Sequence, residues 1–329
     1  MRSMIINQFG GFNVFEEANI AKPSLKKGHV LIKVEATSVN PLDIKLRNGD
    51  KPGLIPSFPM VLHGDVAGTV IEVDESVSQF KVGDEVYGCA GGLLDMQGAL
   101  AEYMLADVDL IAHKPKSLSF VQAAALPLVS LTAWEGLVTR ARVQKNQRVL
   151  IHGATGGVGH LAIQLAKHLG AVVSATASTP EKCEIAKQLG AEHAINYKTT
   201  LVEDYTAGLT QGGFDVVFDT VGGEHLQKSI KATAINGQII TILSAGRLDT
   251  DPVFSKGLSI HFILQPLPLI TGINRKHYGE ILTNIAKLAD AAIIKPLLDP
   301  HQLSISDVAT AHELLENNQA IGKVVMRGI

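Results

Sequence analysis

Residues 148–171 read RVLIHGATGGVGHLAIQLAKHLGA: an apolar run passes directly into Gly153, Gly156, Gly157 and Gly159, and then into an amphipathic stretch. The pattern predicts a buried strand, a tight turn and a helix from Gly157 to Leu169. Glycines let a backbone turn sharply and approach a pyrophosphate, while a helix N-terminus offers unpaired N–H groups and the positive end of its dipole. The common G-x-G-x-x-G spacing here becomes Ala154-Thr155-Gly156-Gly157-Val158-Gly159. A strand before the glycines and a helix after them are the context that a dinucleotide cradle requires. Gly153 and residues Ala154 to Gly159 are therefore the candidate cofactor-binding loop.

Downstream, strand and helix alternate: AVVSATAS (171–178), a helix over Pro180 to Leu189, HAINY (193–197), FDVVFDTVG (214–222), a helix near Glu224 to Ala232, and GQIITIL (237–243). This alternation predicts βαβ units and a doubly wound parallel sheet. The second strand ends Thr176-Ala177-Ser178-Thr179, without the acidic residue that would bind a ribose 2′-hydroxyl. A carboxylate there would repel a 2′-phosphate, whereas a hydroxyl with Lys182 one turn into the next helix suits one, so the expected cofactor is NADP(H).

Upstream the character is β-rich, with VLIKVEATSV (30–39), VAGTVIEV (66–73), the turn segment VGDEVYG (82–88) and GALAEYMLA (98–106) reading as strands of a small barrel. Helical spacing begins near Phe120 and continues through Leu131, Trp134, Leu137 and Val138. Near the C-terminus, KPLLDPHQLSISDVATAHELLENNQ predicts an extended stretch and a helix begun by a box from Ser306 to Ala309; GKVVMR predicts a last strand. The peptide Asn40-Pro41-Leu42-Asp43-Ile44-Lys45 reads as a helix start, with Asn as cap, Pro at the first position and Asp in the first turn.

The chain has 329 residues, 46% hydrophobic and 19% charged, which suits a two-domain α/β protein rather than a disordered one. A net charge of −3 without a lysine or arginine run gives nucleic acid and anionic membranes no electrostatic footprint. Only Cys89 and Cys183 occur, and no apolar run of about 18 residues is present, so a soluble cytoplasmic protein is expected.

The segments SVNPLDIKLRNG, VLHGDVAGTVIEV, FKVGDEVYG, LAEYMLA, AHKPKSLSFVQAAALPLVSLTAWEGL, the glycine loop, FDVVFDTVGG and the terminal GKVV span nearly the whole chain. In this order they resemble the medium-chain dehydrogenase/reductase superfamily, in its zinc-independent quinone oxidoreductase and alkenal/enone reductase branch. The resemblance implies a GroES-like catalytic domain over 1–122 and 292–329, a Rossmann NADP-binding domain over 123–291, and a homodimer joined through the sheet edge of the cofactor domain. It implies that Ser178, Lys182 and Tyr197 surround the adenosine 2′-phosphate, that Val221 also touches the cofactor, and that Asn40 faces its nicotinamide end in a cleft. The apolar residues Phe58, Leu93, Phe262, Leu264 and Leu267 are expected as pocket wall.

Zinc-dependent members carry a cysteine where this chain has Asn40, a His-Glu pair where it has Gly64-Asp65, and a third ligand near Leu128. Their structural zinc lobe needs four close cysteines, and only Cys89 lies in that region. Zinc sites take three or four N or S ligands, so no metal is expected, and His63 reads as a structural or cleft-lining histidine. Lys45 replaces the tyrosine of many quinone reductases and resembles the enone reductases. Hydride delivery to the β-carbon of an enone drives negative charge onto the carbonyl oxygen, where Lys45 or its bound water would stabilise it. Lys45 and Asn40 are thus the candidate catalytic residues for a small-molecule quinone or enone substrate. Two alternatives remain: a non-catalytic NADPH-binding or structural protein of the same fold, and a zinc-free alcohol or carbonyl reductase.

Overall fold

The computed structural model describes residues 1–244 and 247–328. The chain forms two compact units, Met1–Leu128 together with the chain from Pro266 onward, and Val129–Gln265. The first unit begins with β1 (Arg2–Ile6), β2 (Phe15–Asn19), β3 (His29–Ser38), α1 (Pro41–Asn48), β4 (Asp65–Val73), β5 (Glu85–Cys89), β6 (Tyr103–Asp107), β7 (Ile111–His113) and α2 (Phe120–Ala124). The chain enters the second unit along α3 (Pro127–Trp134). There follow β8 (Arg148–Ile151), α4 (Gly157–His168), β9 (Val172–Ala177), α5 (Pro180–Leu189), β10 (His193–Asn196), α6 (Val202–Leu209), β11 (Phe214–Asp219), α7 (Leu226–Ala232), β12 (Thr233–Thr241), α8 (Asp251–Ser255) and β13 (Ser259–Phe262). The return segment supplies α9 (Leu267–Thr271), α10 (Arg275–Asp290), β14 (Leu303–Ser304), α11 (Val308–Glu316) and β15 (Val325–Arg327) to the first unit.

Among the described residues of the second unit six strands run parallel, in the order β10-β9-β8-β11-β12-β13. Val149, Leu150 and Ile151 of β8 are all buried, as expected for a central strand covered on both faces. The winding direction reverses between β8 and β11, and in such sheets ligands bind outside the carboxyl ends of the strands at that point. The glycine loop leaves β8 at this position.

In the first unit the main sheet runs β14-β15-β3-β4-β5-β7, with β6 also on β3. Two registers matter for the site. Antiparallel pairing sets Ser38 opposite Asp65 and Val325 opposite Ser38. The end of β3 and the starts of β4 and β15 therefore converge just before α1.

The structure departs from the sequence reading in four places. Residues 266–291, grouped above with the Rossmann part, pack on the first unit. Tyr87 Oη donates to Leu282 O at 2.6 Å, Ser117 N–H to Asp290 at 2.8 Å, and Arg275 pairs with Asp107 at 2.9 Å. The capping box near the C-terminus is Ser304 with Asp307, because Ala309 has no acceptor to return to the cap that Ser306 would make. The helix through Leu131 and Trp134 widens to a π-helix over Glu135–Arg140, where Gly136 lies so close to Phe218 that a Cβ would come within 2.6 Å of its ring. In 98–106 only the part from Tyr103 is strand. Gly98 and Ala99 donate instead to the carbonyls of Val61 and His63, at 2.9 Å each.

Candidate active site

The glycine loop has the geometry that the sequence calls for. Gly153 has a left-handed backbone, φ 74°, and a Cβ there would lie 2.5 Å from Thr220 Oγ1. At Gly159 a Cβ would lie 2.1 Å from Gly153 O, so only glycine lets the first turn of α4 close over the loop. Among the described residues no side chain caps α4 at Gly156, and the first N–H groups of the helix stay available for an anion. A phosphate-bearing group fits this cradle, because its oxygens take the place that a capping side chain would otherwise fill.

Three of the parallel strands, β9, β10 and β11, deliver the other candidate cofactor residues to the same end of the sheet. The β9–β10 register pairs Ala177 with Asn196, so Ser178 and Tyr197 leave neighbouring strands side by side. Tyr197 is 50% exposed. Thr179 caps α5 by accepting the N–H of Lys182 at 3.3 Å, which sets Lys182 in the first turn with its ammonium outside any ion pair among the described residues. The one carboxylate of this turn, Glu181, is exposed and accepts from the Thr179 hydroxyl. Val221 follows β11 and is half exposed. Its N–H donates to Asp219 at 2.8 Å, as does that of Gly222 at 2.9 Å. Burial tends to raise the Asp219 carboxyl, but hydrogen bonds from His225 and Gly222 outweigh it and hold the group well below the usual carboxylate range.

In the first unit Asn40 occupies the N-cap position of α1 with an extended backbone. Asp43 supplies half of a capping box by accepting the Asn40 N–H at 2.7 Å. The Asn40 side chain turns elsewhere: Nδ2 donates to Asp65 Oδ2 at 2.8 Å, and Oδ1 accepts from Lys323. Lys323 also donates to Val39 O at 3.0 Å and meets Asp65 Oδ2 at 3.4 Å. Asp65 further accepts from Ser38 Oγ at 2.8 Å and from the N–H of Leu128 at 2.9 Å. Asn40, Asp65 and Lys323 are 1%, 0% and 3% exposed. Burial pushes the nearby Asp43 carboxyl up to about 7. Lys45 lies five residues beyond Asn40 on α1, half-buried, and its ammonium is in no hydrogen bond or ion pair among the described residues.

His63 is fully buried in a chain of side chains. Arg47 Nη1 donates to His312 Nδ1 at 3.1 Å, and the two histidines meet through their Nε2 atoms at 2.9 Å. A guanidinium has no acceptor, so His312 carries its proton on Nε2 and donates to His63, whose own proton sits on Nδ1 toward Thr37 Oγ1 at 3.4 Å. Burial pushes His63 down to about 3, with Lys323 adding to the effect. Among the described residues, no three His, Cys, Asp or Glu side chains are grouped to hold a metal.

Of the expected pocket wall, Leu93 is a core residue at 1% exposure, in a tight turn closed by Gly92 N–H to Met96 O at 2.9 Å and Met96 N–H to Leu93 O at 3.1 Å. Phe58 is exposed and packs edge-on against Phe9 with ring centroids 5.0 Å apart. Phe262 and Leu264 lie exposed at the β13 edge of the second unit, and Leu267 lies exposed on α9. Lys323 is the functional candidate that the sequence reading missed.

Comparison with known proteins agrees with this layout. Residues 26–116 match the alcohol dehydrogenase GroES-like domain family, and residues 157–264 match the zinc-binding dehydrogenase family. The chain is 36% identical to the chloroplastic NADPH-dependent alkenal/one oxidoreductase of Arabidopsis thaliana, over 99% of this chain and 79% of that protein. The quinone oxidoreductase of Coxiella burnetii superposes with a TM-score of 0.86 at 35% identity, covering 99% of both chains. An alcohol dehydrogenase superfamily protein from Novosphingobium aromaticivorans superposes at 0.94 with 37% identity, again over 99% of both. The chain belongs to the medium-chain dehydrogenase/reductase superfamily, in its quinone oxidoreductase and alkenal/enone reductase branch, and is an oxidoreductase.

Proposed function

We propose that this oxidoreductase uses NADPH to reduce quinones or α,β-unsaturated carbonyl compounds, without zinc. The observation that carries the reading is the combination of a glycine cradle open to an anion with the Ser178, Lys182 and Tyr197 turn, whose one carboxylate is already bonded to Thr179. Gly153 to Gly159 would hold the pyrophosphate, Ser178 and Lys182 the 2′-phosphate, and Val221 a part of the cofactor beyond it. When bound, the reduced nicotinamide supplies the hydride. Lys45 offers a positive charge to the carbonyl oxygen on which negative charge grows. Quinone reduction needs this charge less, since it yields an aromatic hydroquinone anion that solvent protonates.

The donor set supports the zinc-free reading. At the positions where zinc-dependent relatives place ligands stand Asn40, Gly64 and Leu128, and the carboxylate nearby, Asp65, already holds the ammonium of Lys323. A divalent ion at Asp65 would sit against that ammonium.

Replacing Lys182 by alanine is expected to raise the Michaelis constant for NADPH by about tenfold or more, the worth of one charge-assisted hydrogen bond, with little change for NADH. Equal use of the two cofactors by the wild type, or an unchanged constant in the variant, contradicts the assignment. The same reading places the protein in the cytoplasm, consistent with two free cysteines, a net charge of −3 and, among the described residues, no helix long and apolar enough to cross a membrane. It also makes the protein a homodimer joined at β13, an edge strand with Phe262 and Leu264 exposed. Light scattering should give twice the chain mass, and a Phe262→Glu variant should give the monomer. A monomeric wild type removes this part.

A further inference from the structure

We propose that Lys323 is a positioning residue for the reduction: its buried ammonium holds the Asn40 amide in one orientation and ties the start of α1, which carries Lys45, to β4 and the last strand. The inference rests on the function proposed above and extends it to a residue 283 positions from Asn40 along the chain.

The ammonium has three protons, and three acceptors surround it: Val39 O, Asn40 Oδ1 and Asp65 Oδ2. This saturation separates Lys323 from the solvated lysine that is the usual case. The amide of Asn40 is read from both ends, since a cation faces its oxygen and a carboxylate accepts from its nitrogen. A flipped amide would set its NH₂ against the ammonium and its oxygen against the carboxylate, so a single orientation is stable. Val39 and Asn40 are the two residues between β3 and α1, and Lys323 engages both.

The register of the sheet explains the placement. Val325 pairs with Ser38, and the antiparallel match continues through the N–H of Val39, which donates to Val324 O at 3.1 Å. Two residues after Ser38 and two before Val325, Asn40 meets Lys323. Asp65 enters from the opposite side because β4 begins across from Ser38. A buried ion pair is a poor device for stability alone, because desolvation offsets most of its attraction, and its best-attested use is to select one arrangement. Here the arrangement selected is the entry angle of α1, and with it the position of Lys45. A catalytic group displaced by about 1 Å can lose on the order of 10²-fold in rate.

The test compares Lys323→Met, Lys323→Met with Asp65→Asn, and Asn40→Ala, reading melting temperature, NADPH affinity by fluorescence, and kcat and KM for a 2-alkenal. Removing Lys323 alone strands the Asp65 carboxylate and endangers folding. The double variant removes both charges, and Asn40→Ala keeps the ion pair. The expected result is a kcat lower by on the order of 10-fold to 10²-fold in every variant that folds, with the NADPH affinity of the two Lys323 variants within about twofold of wild type, since the glycine cradle belongs to the other unit. Return of the double variant to wild-type kcat would mean that Lys323 only neutralises Asp65, and would overturn the proposal. So would wild-type kcat in Asn40→Ala. A wild-type protein without quinone or enone turnover would instead overturn the proposed function, which separates the two failures.

Discussion

Lys45→Met is expected to lower enone reduction by on the order of 10²-fold while reducing quinone turnover much less. The side chain stands on α1 without a hydrogen bond or ion pair among the described residues, so methionine removes a charge without stranding a partner. The helix itself should persist. Its start is held by Asn40 and Asp43, and its end by Gly49 in a left-handed conformation, φ 85°, none of which involves the Lys45 side chain. An enolate oxygen in a partly dry site gains strongly from an ammonium, whereas a quinone gains aromatic stabilisation on reduction. Parallel assays with a 2-alkenal and 1,4-benzoquinone measure the difference. Equal losses in both activities with weaker NADPH binding would mean that Lys45 holds the cofactor or the helix, and no loss in either would make it an ordinary solvated lysine.

The second large effect is on stability in acid. Burial pushes both His63 and His152 down to about 3, from a usual value of 6.5. Burial and the neighbouring His63 and Arg47 hold His312 well below the usual value too. Each of these rings takes up a proton on unfolding. Its contribution is therefore complete above about pH 6.5 and is lost as pH falls toward 3, reaching about 5 kcal/mol for a ring shifted to about 3. Asp43, pushed up to about 7 by burial, acts oppositely, since it gains a proton on folding between about pH 4 and 7. In the first unit, His63 and His312 against Asp43 leave a net of about one proton, and His152 gives about one in the second unit. Whichever unit unfolds first, urea denaturation between pH 6.5 and 4.5 should show stability falling by about 1.4 kcal/mol per pH unit, or twice that if the units unfold together. His63→Gln should flatten the slope of the first unit. A stability that is level or rises on acidification across this range contradicts the buried, neutral assignment of these rings.

The parts of the fold legible in the sequence are those whose signals are local. Val149, Leu150 and Ile151 form an apolar run too short for a helix, and Gly153 and Gly159 mark the two points where a Cβ has no room. The C-terminal capping box was placed two residues too late, at Ser306 to Ala309, although Asp307 stands three residues after Ser304 and completes the box that Ala309 cannot. The partner of α10 was not legible. Tyr278, Ile281, Leu282, Ile285 and Ala289 share one face of that helix, which announces burial, but no local feature says that β7 and Tyr87 of the first unit provide the cover. Lys323 was hidden for the same reason. A lysine ahead of a final strand is usually solvated, and only the β15–β3–β4 register brings it to Asp65 and Asn40. Likewise, the apolar character of Leu93 gave no sign of whether it faced a pocket or the core, and the folding of the 91–98 loop decided it.

The proposed function is tested most directly by steady-state turnover of protein purified without an affinity tag and treated with a chelator, assayed with NADPH or NADH against 1,4-benzoquinone and a 2-alkenal. It predicts turnover of at least one of the two substrates at an undiminished rate after chelation, with NADPH preferred by about tenfold or more. No turnover with either substrate, or activity that chelation abolishes and zinc restores, would contradict it.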